Sequence, residues 1–232
     1  MSPLLRGRAR RRICLPIVET TTERAIQAIH EAHPLADLLE LRLDYLRNPA
    51  LKRLSSGRKK PFIITNRRKE EGGRYRGSES RRLEVFEEAI DLGMDFIDVE
   101  LETQRSLLYR LINNKGETKV ILSFHDFTGT PSQQELKTIC DRMFERGGDI
   151  AKIVTFAKSY EDNLNILSLL PYARRRNLKI VTFCMGEKGR MSRIFAPMMG
   201  AAWTYGCLSR TRASAPGQLT PAEMKEFWRR LR

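Results

Sequence analysis

The feature that most constrains the fold of this chain is the alternation of short apolar runs with longer amphipathic segments. Eight such runs, rich in β-branched residues, open at Ile13, Leu38, Pro61, Asp95, Lys119, Ile150, Lys179 and Trp203. Most of the segments between them have the apolar periodicity of helices. Strand followed by helix, repeated through a chain of this length, implies a parallel sheet, and eight such units close most economically into a barrel.

We therefore predict an α/β fold with one domain, a (β/α)8 barrel over residues 13–232, preceded by a basic and disordered arm at residues 1–12. A doubly wound open sheet is the alternative architecture. No G-x-G-x-x-G motif follows the first strand, which argues against that alternative.

The second apolar run, LLELRLDYL, contains a charge at every second position. On a strand, Glu40, Arg42 and Asp44 would share one face and the leucines the other. In an ordinary half-buried sheet the charges would face solvent. In a barrel wrapped by helices the leucines would face the helices and the charges would converge inside, where unpaired charge is unfavourable and requires a function.

The chain is strongly basic, with 42 Lys and Arg against 28 Asp and Glu, a net charge of +14. This charge suits nucleic acid, an anionic membrane surface or a small anionic substrate. The basic residues gather in predicted termini, loops and helix ends, and no nucleic-acid motif accompanies them. We predict a small anionic substrate and neither a nucleic-acid nor a membrane partner.

The cysteines Cys14, Cys140, Cys184 and Cys207 lie far apart and form no C-x-x-C motif, which is typical of buried free thiols in a reducing compartment. No apolar stretch precedes a small-residue cleavage site at the N-terminus, and no run approaches the length of a membrane span. We expect a cytoplasmic protein.

The carboxyl ends of barrel strands hold the catalytic residues of such enzymes. At the predicted ends lie Glu40, Arg42, Asp44, Arg67, Glu71, His125, Asp126 and Lys152, with Arg193 following the seventh strand.

Lys152 and His125 are the candidates for chemistry. Lys152 is the only charge in IAKIVTFA, and a desolvated lysine loses its proton more readily and becomes a nucleophile suited to a Schiff base. A lysine at the strand entrance that reaches solvent, or that pairs with Asp149, is an equal alternative. His125 closes the neighbouring strand and could remove a proton next to an iminium, with Glu71 orienting the imidazole.

The motifs ELRLD, TNRRKEEGG, FIDVEL, SFHDF-x-x-TP, DIAKI, MGEKGRMSR and ASAPGQ, in this order and spacing, resemble type I 3-dehydroquinate dehydratase from Ile13 to Leu231. The resemblance implies a (β/α)8 barrel that converts 3-dehydroquinate to 3-dehydroshikimate and water in the shikimate pathway, without metal or cofactor. It also implies that the protein is a lyase and, as relatives often are, a possible homodimer.

The resemblance assigns roles to individual residues. Lys152 would form the Schiff base, His125 would be the general base and acid, and Glu71 its partner. The substrate-binding residues would be Glu40, Arg42, Arg67, Arg193, Ser214 and Gln218. Among these, Arg193 would bind the substrate carboxylate through two hydrogen bonds, and Ser214 and Gln218 would belong to a mobile covering loop.

The residues alone leave some roles and functions open. Asp44 is interpreted as a counter-ion for Arg42 or Arg67. Asp98 and Glu100 could be buried counter-charges for Lys152 or Arg67. The alternative functions are another Schiff-base barrel, such as a class I aldolase, and a basic nucleic-acid-binding protein with a degenerate barrel.

Overall fold

Eight parallel strands form the centre of the protein, for which a computed structural model describes residues 11–231. The strands are β1 (Ile13–Ile17), β2 (Leu38–Arg42), β3 (Phe62–Thr65), β4 (Phe96–Glu100), β5 (Lys119–His125), β6 (Ile150–Phe156), β7 (Ile180–Met185) and β8 (Thr204–Tyr205). Their order is β7-β6-β5-β4-β3-β2-β1-β8. Ala202 N donates to Ile180 O at 2.8 Å, beside the start of β7. The sheet is therefore a nearly closed barrel, as predicted, and the open doubly wound alternative is wrong.

Helices alternate with the strands and pack on the outside of the barrel. In the described part of the chain they are α1 (Thr22–Ala32), α2 (Leu51–Leu54), α3 (Glu79–Asp91), α4 (Arg105–Asn114), α5 (Gln133–Glu145), α6 (Asp162–Leu167), α7 (Leu169–Arg175), α8 (Arg190–Met199) and α9 (Pro221–Arg230). The larger apolar core lies between these helices and the strands. Burial of this surface is the main force that holds the layers together.

The barrel interior has an apolar floor and a charged upper layer. The floor is formed by Cys14, Leu38, Ile63, Phe96, Ile121, Ile150, Val181 and Trp203. On β2, Leu39 and Leu41 join the outer core. Glu40 and Arg42 face the interior and are only 3% and 9% exposed. The charges of LLELRLDYL thus converge inside the barrel, which answers the question that the alternation posed.

Asp44 does not lie on the strand, contrary to the expectation of a strand through Leu46. The strand ends at Arg42, and Leu43–Tyr45 form a single 3₁₀ turn. In this turn the Asp44 carboxylate accepts hydrogen bonds from the Arg42 side chain and, at 3.0 Å, from Arg74 N. These contacts offset the burial of the charge.

Three further expectations concern the termini, the cysteines and the membrane. Residues 1–10 of the predicted arm lie outside the described residues. Its last two residues differ from the prediction: Arg11 Nη1 donates to Trp228 O at 3.0 Å, and Arg12 O accepts from Thr204 N at 3.0 Å. The cysteines are free and buried, as predicted. Within residues 11–231 no helix is long and apolar enough to cross a membrane.

Candidate active site

One pocket at the carboxyl ends of the strands contains every residue that the sequence nominated for catalysis or substrate binding. It is lined by Glu40, Arg42, Arg67, Glu71, His125, Lys152, Arg193, Ser214 and Gln218. Residues that the sequence analysis did not nominate complete the lining: Gly72, Phe127, Val154, Phe183, Met185, Tyr205, Ala215 and Pro216. The parallel barrel brings these distant segments together because all of its strands end at the same face.

Lys152 lies on the inner face of β6 and is 5% exposed. Its Nζ donates to Asp98 Oδ2 at 2.7 Å and to Glu40 Oε1 at 3.2 Å. The alternative pairing with Asp149 is wrong. Asp149 precedes β6, and its carboxylate forms a salt bridge with Lys115 instead. Lys152 therefore reaches the pocket from inside the barrel, with carboxylate partners that offset its burial.

Asp98 joins Lys152 to Arg67. Arg67 Nη2 lies 2.6 Å from Asp98 Oδ1, and Arg67 Nη1 lies 3.1 Å from Glu100 Oε1 and 2.6 Å from Ser123 Oγ. Burial would raise the pKa of Asp98, but the charges of Arg67 and Lys152 outweigh it and hold that pKa well below its usual range. The ion pairs confirm Asp98 and Glu100 as buried counter-charges.

His125 and Glu71 form a hydrogen-bonded pair at the mouth of the pocket, with Nδ1 3.0 Å from Oε2. Burial lowers the pKa of His125 well below its ordinary value, and the charges of Arg67 and Lys152 lower it further. Burial also raises the pKa of Glu71 to about 7, against the opposing charge of Arg67. The imidazole is therefore neutral at neutral pH, which is the form that accepts a proton.

The turn after Glu71 needs glycine. Gly72 has a φ of 77°, in the left-handed region, and a Cβ there would lie 2.3 Å from the ring of Phe127. A side chain at this position would be strained by the left-handed backbone and would push the exposed Phe127 ring aside.

The charges of β2 have separate partners. Arg42 Nε and Nη2 lie 2.9 Å and 2.8 Å from the two oxygens of Asp44. This confirms Asp44 as the counter-ion of Arg42. Glu40 Oε1 accepts from Thr65 Oγ1 at 2.9 Å as well as from Lys152. Glu40 thus holds hydrogen bonds to two strands while it faces the pocket.

Arg193, at the start of α8, has no carboxylate partner among the described residues. It is fully buried, and its guanidinium donates to Tyr205 O at 3.4 Å and Pro216 O at 3.3 Å. Within residues 11–231 no Asp or Glu lies within salt-bridge distance of it, and its Nε is without a hydrogen-bond acceptor. Burial lowers the pKa of Arg193 to about 10. An anion entering the pocket would compensate this charge.

The segment after β8 covers the pocket. Ser214 N donates to Gln218 Oε1 at 2.8 Å, and Gln218 Nε2 donates to Ser214 Oγ at 3.0 Å. Gly186 N, after β7, donates to Pro216 O at 3.2 Å. The residues predicted for a covering loop therefore lie over the pocket, and one backbone hydrogen bond joins the loop to the end of the seventh strand.

Aromatic residues are part of the lining that the sequence analysis missed. Phe183 and Tyr205 lie on β7 and β8 among apolar neighbours, where an aromatic side chain normally indicates core. Only their place near the carboxyl end of a strand, on the same face as the polar residues, could have indicated the pocket.

The pocket is equipped for carbonyl chemistry without an obvious metal site. In the described part of the chain no three His, Cys, Asp or Glu side chains are placed to hold a metal ion. An amine, a neutral imidazole with a carboxylate partner, and an uncompensated guanidinium instead share one pocket. These groups can form a carbon–nitrogen bond, move a proton and bind a carboxylate.

Known proteins are similar to this chain in both sequence and fold. The family model described as type I 3-dehydroquinase matches residues 13–231. The 3-dehydroquinate dehydratase of Methanocaldococcus jannaschii is 37% identical over 219 residues, covering 94% of this chain and 97% of that protein. The 3-dehydroquinate dehydratase of Methanococcus maripaludis is 38% identical over 217 residues, covering 93% and 97%.

A solved structure agrees with the sequence matches. The crystal structure of type I 3-dehydroquinate dehydratase from Clostridium difficile, solved with covalently modified comenic acid, superposes with a TM-score of 0.88 at 29% identity. The match covers 97% of this chain and 93% of that one. The chain therefore belongs to the type I 3-dehydroquinase family, and the reaction it catalyses is the dehydration of 3-dehydroquinate.

Proposed function

We propose that this dehydration, which yields 3-dehydroshikimate and water, runs through a Schiff base on Lys152. The observation that carries the proposal is that Lys152 and His125 line the same pocket as Arg193, the buried cation for which no described residue supplies a carboxylate. The substrate is a carboxylate with a ketone and ring hydroxyls, so it offers one group to each of these side chains.

Binding places the ketone against the amine. Arg193 holds the substrate carboxylate, because a guanidinium can give a carboxylate two parallel hydrogen bonds. Glu40 and Arg42 bind ring hydroxyls, and Arg67 shapes the pocket through its carboxylate partners. Ser214 and Gln218, on the loop over the pocket, contact the bound substrate and exclude water.

The covalent step makes the neighbouring proton acidic. The Lys152 ammonium first gives one proton to a carboxylate partner, and the resulting amine attacks the C3 ketone. That proton and one proton from the nitrogen leave with the carbonyl oxygen as water, which gives a protonated imine. Electron withdrawal by this cation weakens the C2–H bond. His125 removes the C2 proton and then donates it to the C1 hydroxyl, which leaves as water. Hydrolysis of the imine returns the amine, so one water is released overall.

Glu71 is proposed to orient His125. When Glu71 is ionised, its Oε2 accepts a hydrogen bond from Nδ1–H at 3.0 Å, so Nε2 keeps the lone pair that takes the proton. The low pKa of the buried imidazole favours this neutral form.

Borohydride reduction in the presence of 3-dehydroquinate tests the covalent step. A substrate-dependent increase in mass that maps to Lys152, and that Lys152→Met abolishes, is expected. Lys158→Met changes an exposed lysine near the pocket and should leave the adduct intact. A folded protein that turns over 3-dehydroquinate without a trapped adduct on Lys152 would contradict the mechanism.

The aldolase alternative loses its support. Family membership favours the dehydratase over a class I aldolase. The absence of a nucleic-acid partner, the homodimer and the cytoplasmic location stay predictions. Sedimentation equilibrium would test the homodimer, and a monomer at micromolar concentration would contradict it.

A further inference from the structure

Two cations of the pocket each lie on the face of an aromatic ring. Lys152 Nζ is 4.4 Å from the centroid of the Tyr205 ring, and Arg193 Cζ is 4.3 Å from that of Phe183. The two rings pack against each other with centroids 5.9 Å apart and planes at 52°. Phe183 and Tyr205 are each 3% exposed. Phe183 and Tyr205, together called the aromatic pair, thus lie against both cations from one side of the pocket.

The ring of Tyr205 gains importance when Lys152 becomes a Schiff base. An ammonium has three N–H donors, and Lys152 uses two of them on Asp98 and Glu40. A protonated imine keeps the positive charge but has a single N–H, so it can no longer donate to both carboxylates. Attraction between a cation and the negative face of a ring needs no N–H donor and persists after the ammonium has become planar.

The ring of Phe183 acts on a cation that has no carboxylate partner among the described residues. Arg193 makes hydrogen bonds of 3.3 Å and 3.4 Å to two backbone carbonyls. A guanidinium stacks readily on an aromatic face, which both stabilises its charge and fixes its plane. The orientation of this plane decides whether the guanidinium can donate two parallel hydrogen bonds to a carboxylate.

We propose that the aromatic pair divides these tasks, with Tyr205 stabilising the cationic Schiff base and Phe183 positioning Arg193 for the substrate carboxylate. The part that concerns Tyr205 rests on the proposed function. Tyr205 is then a catalytic residue, because its ring contacts the reacting nitrogen. Phe183 is a positioning residue that acts through Arg193.

The hydroxyl of Tyr205 provides a matched control. It lies 3.5 Å from Glu40 Oε1, at the limit of a hydrogen bond. Tyr205→Phe removes this contact and keeps the ring, whereas Tyr205→Leu removes both. Phe183→Leu is the corresponding change beside Arg193.

Steady-state kinetics of the three variants tests the division of tasks. We expect Tyr205→Leu to lower kcat about 10-fold with KM changed less than about 3-fold, and Tyr205→Phe to keep kcat within about 3-fold. Phe183→Leu should raise KM about 10-fold and leave kcat within about 3-fold. Borohydride should trap less adduct in Tyr205→Leu than in the unmodified protein. The proposal is overturned if Tyr205→Phe loses as much kcat as Tyr205→Leu, or if both leucine variants change the same parameter.

Two further measurements keep the outcome clear. Trapping in the unmodified protein comes first: no adduct there contradicts the Schiff base itself, whereas an adduct with unchanged Tyr205→Leu kinetics contradicts only the aromatic pair. Should Tyr205→Leu not fold, a fluorinated phenylalanine in place of Tyr205 keeps the shape and weakens the negative face. Its kcat must then fall below that of Tyr205→Phe, and an equal kcat overturns the proposal.

Discussion

Lys152 and Arg193 are two buried cations in opposite surroundings. Lys152 lies between two carboxylates, and its isolated charge in an apolar strand was visible in the sequence. Among the described residues Arg193 hydrogen-bonds to backbone carbonyls and lies on the ring of Phe183. No sequence pattern could reveal these partners, because Tyr205 and Pro216 come from other segments. At the scale of the residue, the sequence could nominate charged groups at strand ends, whereas the partners of each charge required the fold.

The pH dependence of kcat/KM should follow the ionisation of the Glu71 carboxyl group. Its pKa of about 7 means that the carboxylate, the form that accepts from His125 Nδ1–H, is gained as pH rises. We expect kcat/KM to rise with pH through a midpoint near 7 and Glu71→Gln to remove that midpoint. Glu70→Gln alters the exposed neighbour and should keep it. An unchanged profile in Glu71→Gln would show that another group titrates.

The shape of the Arg193 side chain should matter more than its charge. Arg193→Lys keeps a cation but loses the planar pair of donors. Because a hydrogen bond to a charged group contributes about 1.5 to 3 kcal/mol, KM should rise about 10- to 100-fold. Arg190→Lys, on the same helix and paired with Glu187, is the control and should keep KM. A KM unchanged in Arg193→Lys would argue against the carboxylate contact.

At the scale of the element, local signals predicted most strands and only some of the helix starts. Thr220 and Glu223 have the spacing of a capping box, and they form one at the start of α9. Thr130-Pro131 is also typical of a helix start, yet α5 begins after Ser132, which forms a capping box with Glu135. Thr130 is not the cap because its hydroxyl hydrogen-bonds to Thr155 Oγ1 and Phe156 O inside the protein. A threonine has one hydroxyl, and sequence cannot show that a neighbouring strand binds it.

The covering loop should depend on Gly217. This residue has a φ of 78°, and a Cβ there would lie 2.1 Å from Gly186 O, where the loop meets the end of β7. Gly217→Ala should therefore displace the loop and raise KM severalfold. Gly57 has a similar φ of 67°, and a Cβ added there would meet no atom within 4 Å. Gly57→Ala should therefore lower the free energy of unfolding by about 1 to 2 kcal/mol and keep KM. Equal KM values in the two variants would show that the loop does not need this contact.

At the scale of the whole molecule, the barrel explains how separate motifs form one site. The order of the strands was predictable because parallel strand–helix repeats have few solutions. The sequence could not predict that β2 ends at Arg42 or that Arg11 contacts Trp228, because both depend on residues far along the chain. The net charge of +14 is a property of the molecule and not of any one element.

This charge should accelerate capture of the anionic substrate. A basic protein attracts an anion over about 10 Å at 0.1 M salt, and added salt screens that attraction. We expect kcat/KM to fall as sodium chloride is raised from 0.05 to 0.5 M, about 10-fold at most, while kcat changes little. Sucrose that gives the same viscosity as the salt solutions slows diffusion without screening charge, so it is the control for an effect of viscosity on kcat/KM. A kcat/KM independent of salt would mean that the charge has no part in capture.

The uncompensated guanidinium of Arg193 also makes the substrate a ligand of the folded state. A buried charge that meets its counter-ion only on binding leaves the empty protein less stable than the occupied one, by an amount that grows with the ratio of ligand concentration to Kd. The melting temperature should rise with the concentration of any carboxylate that reaches the pocket. In a cell, the lifetime of this enzyme against proteolysis would then increase with the supply of its own substrate.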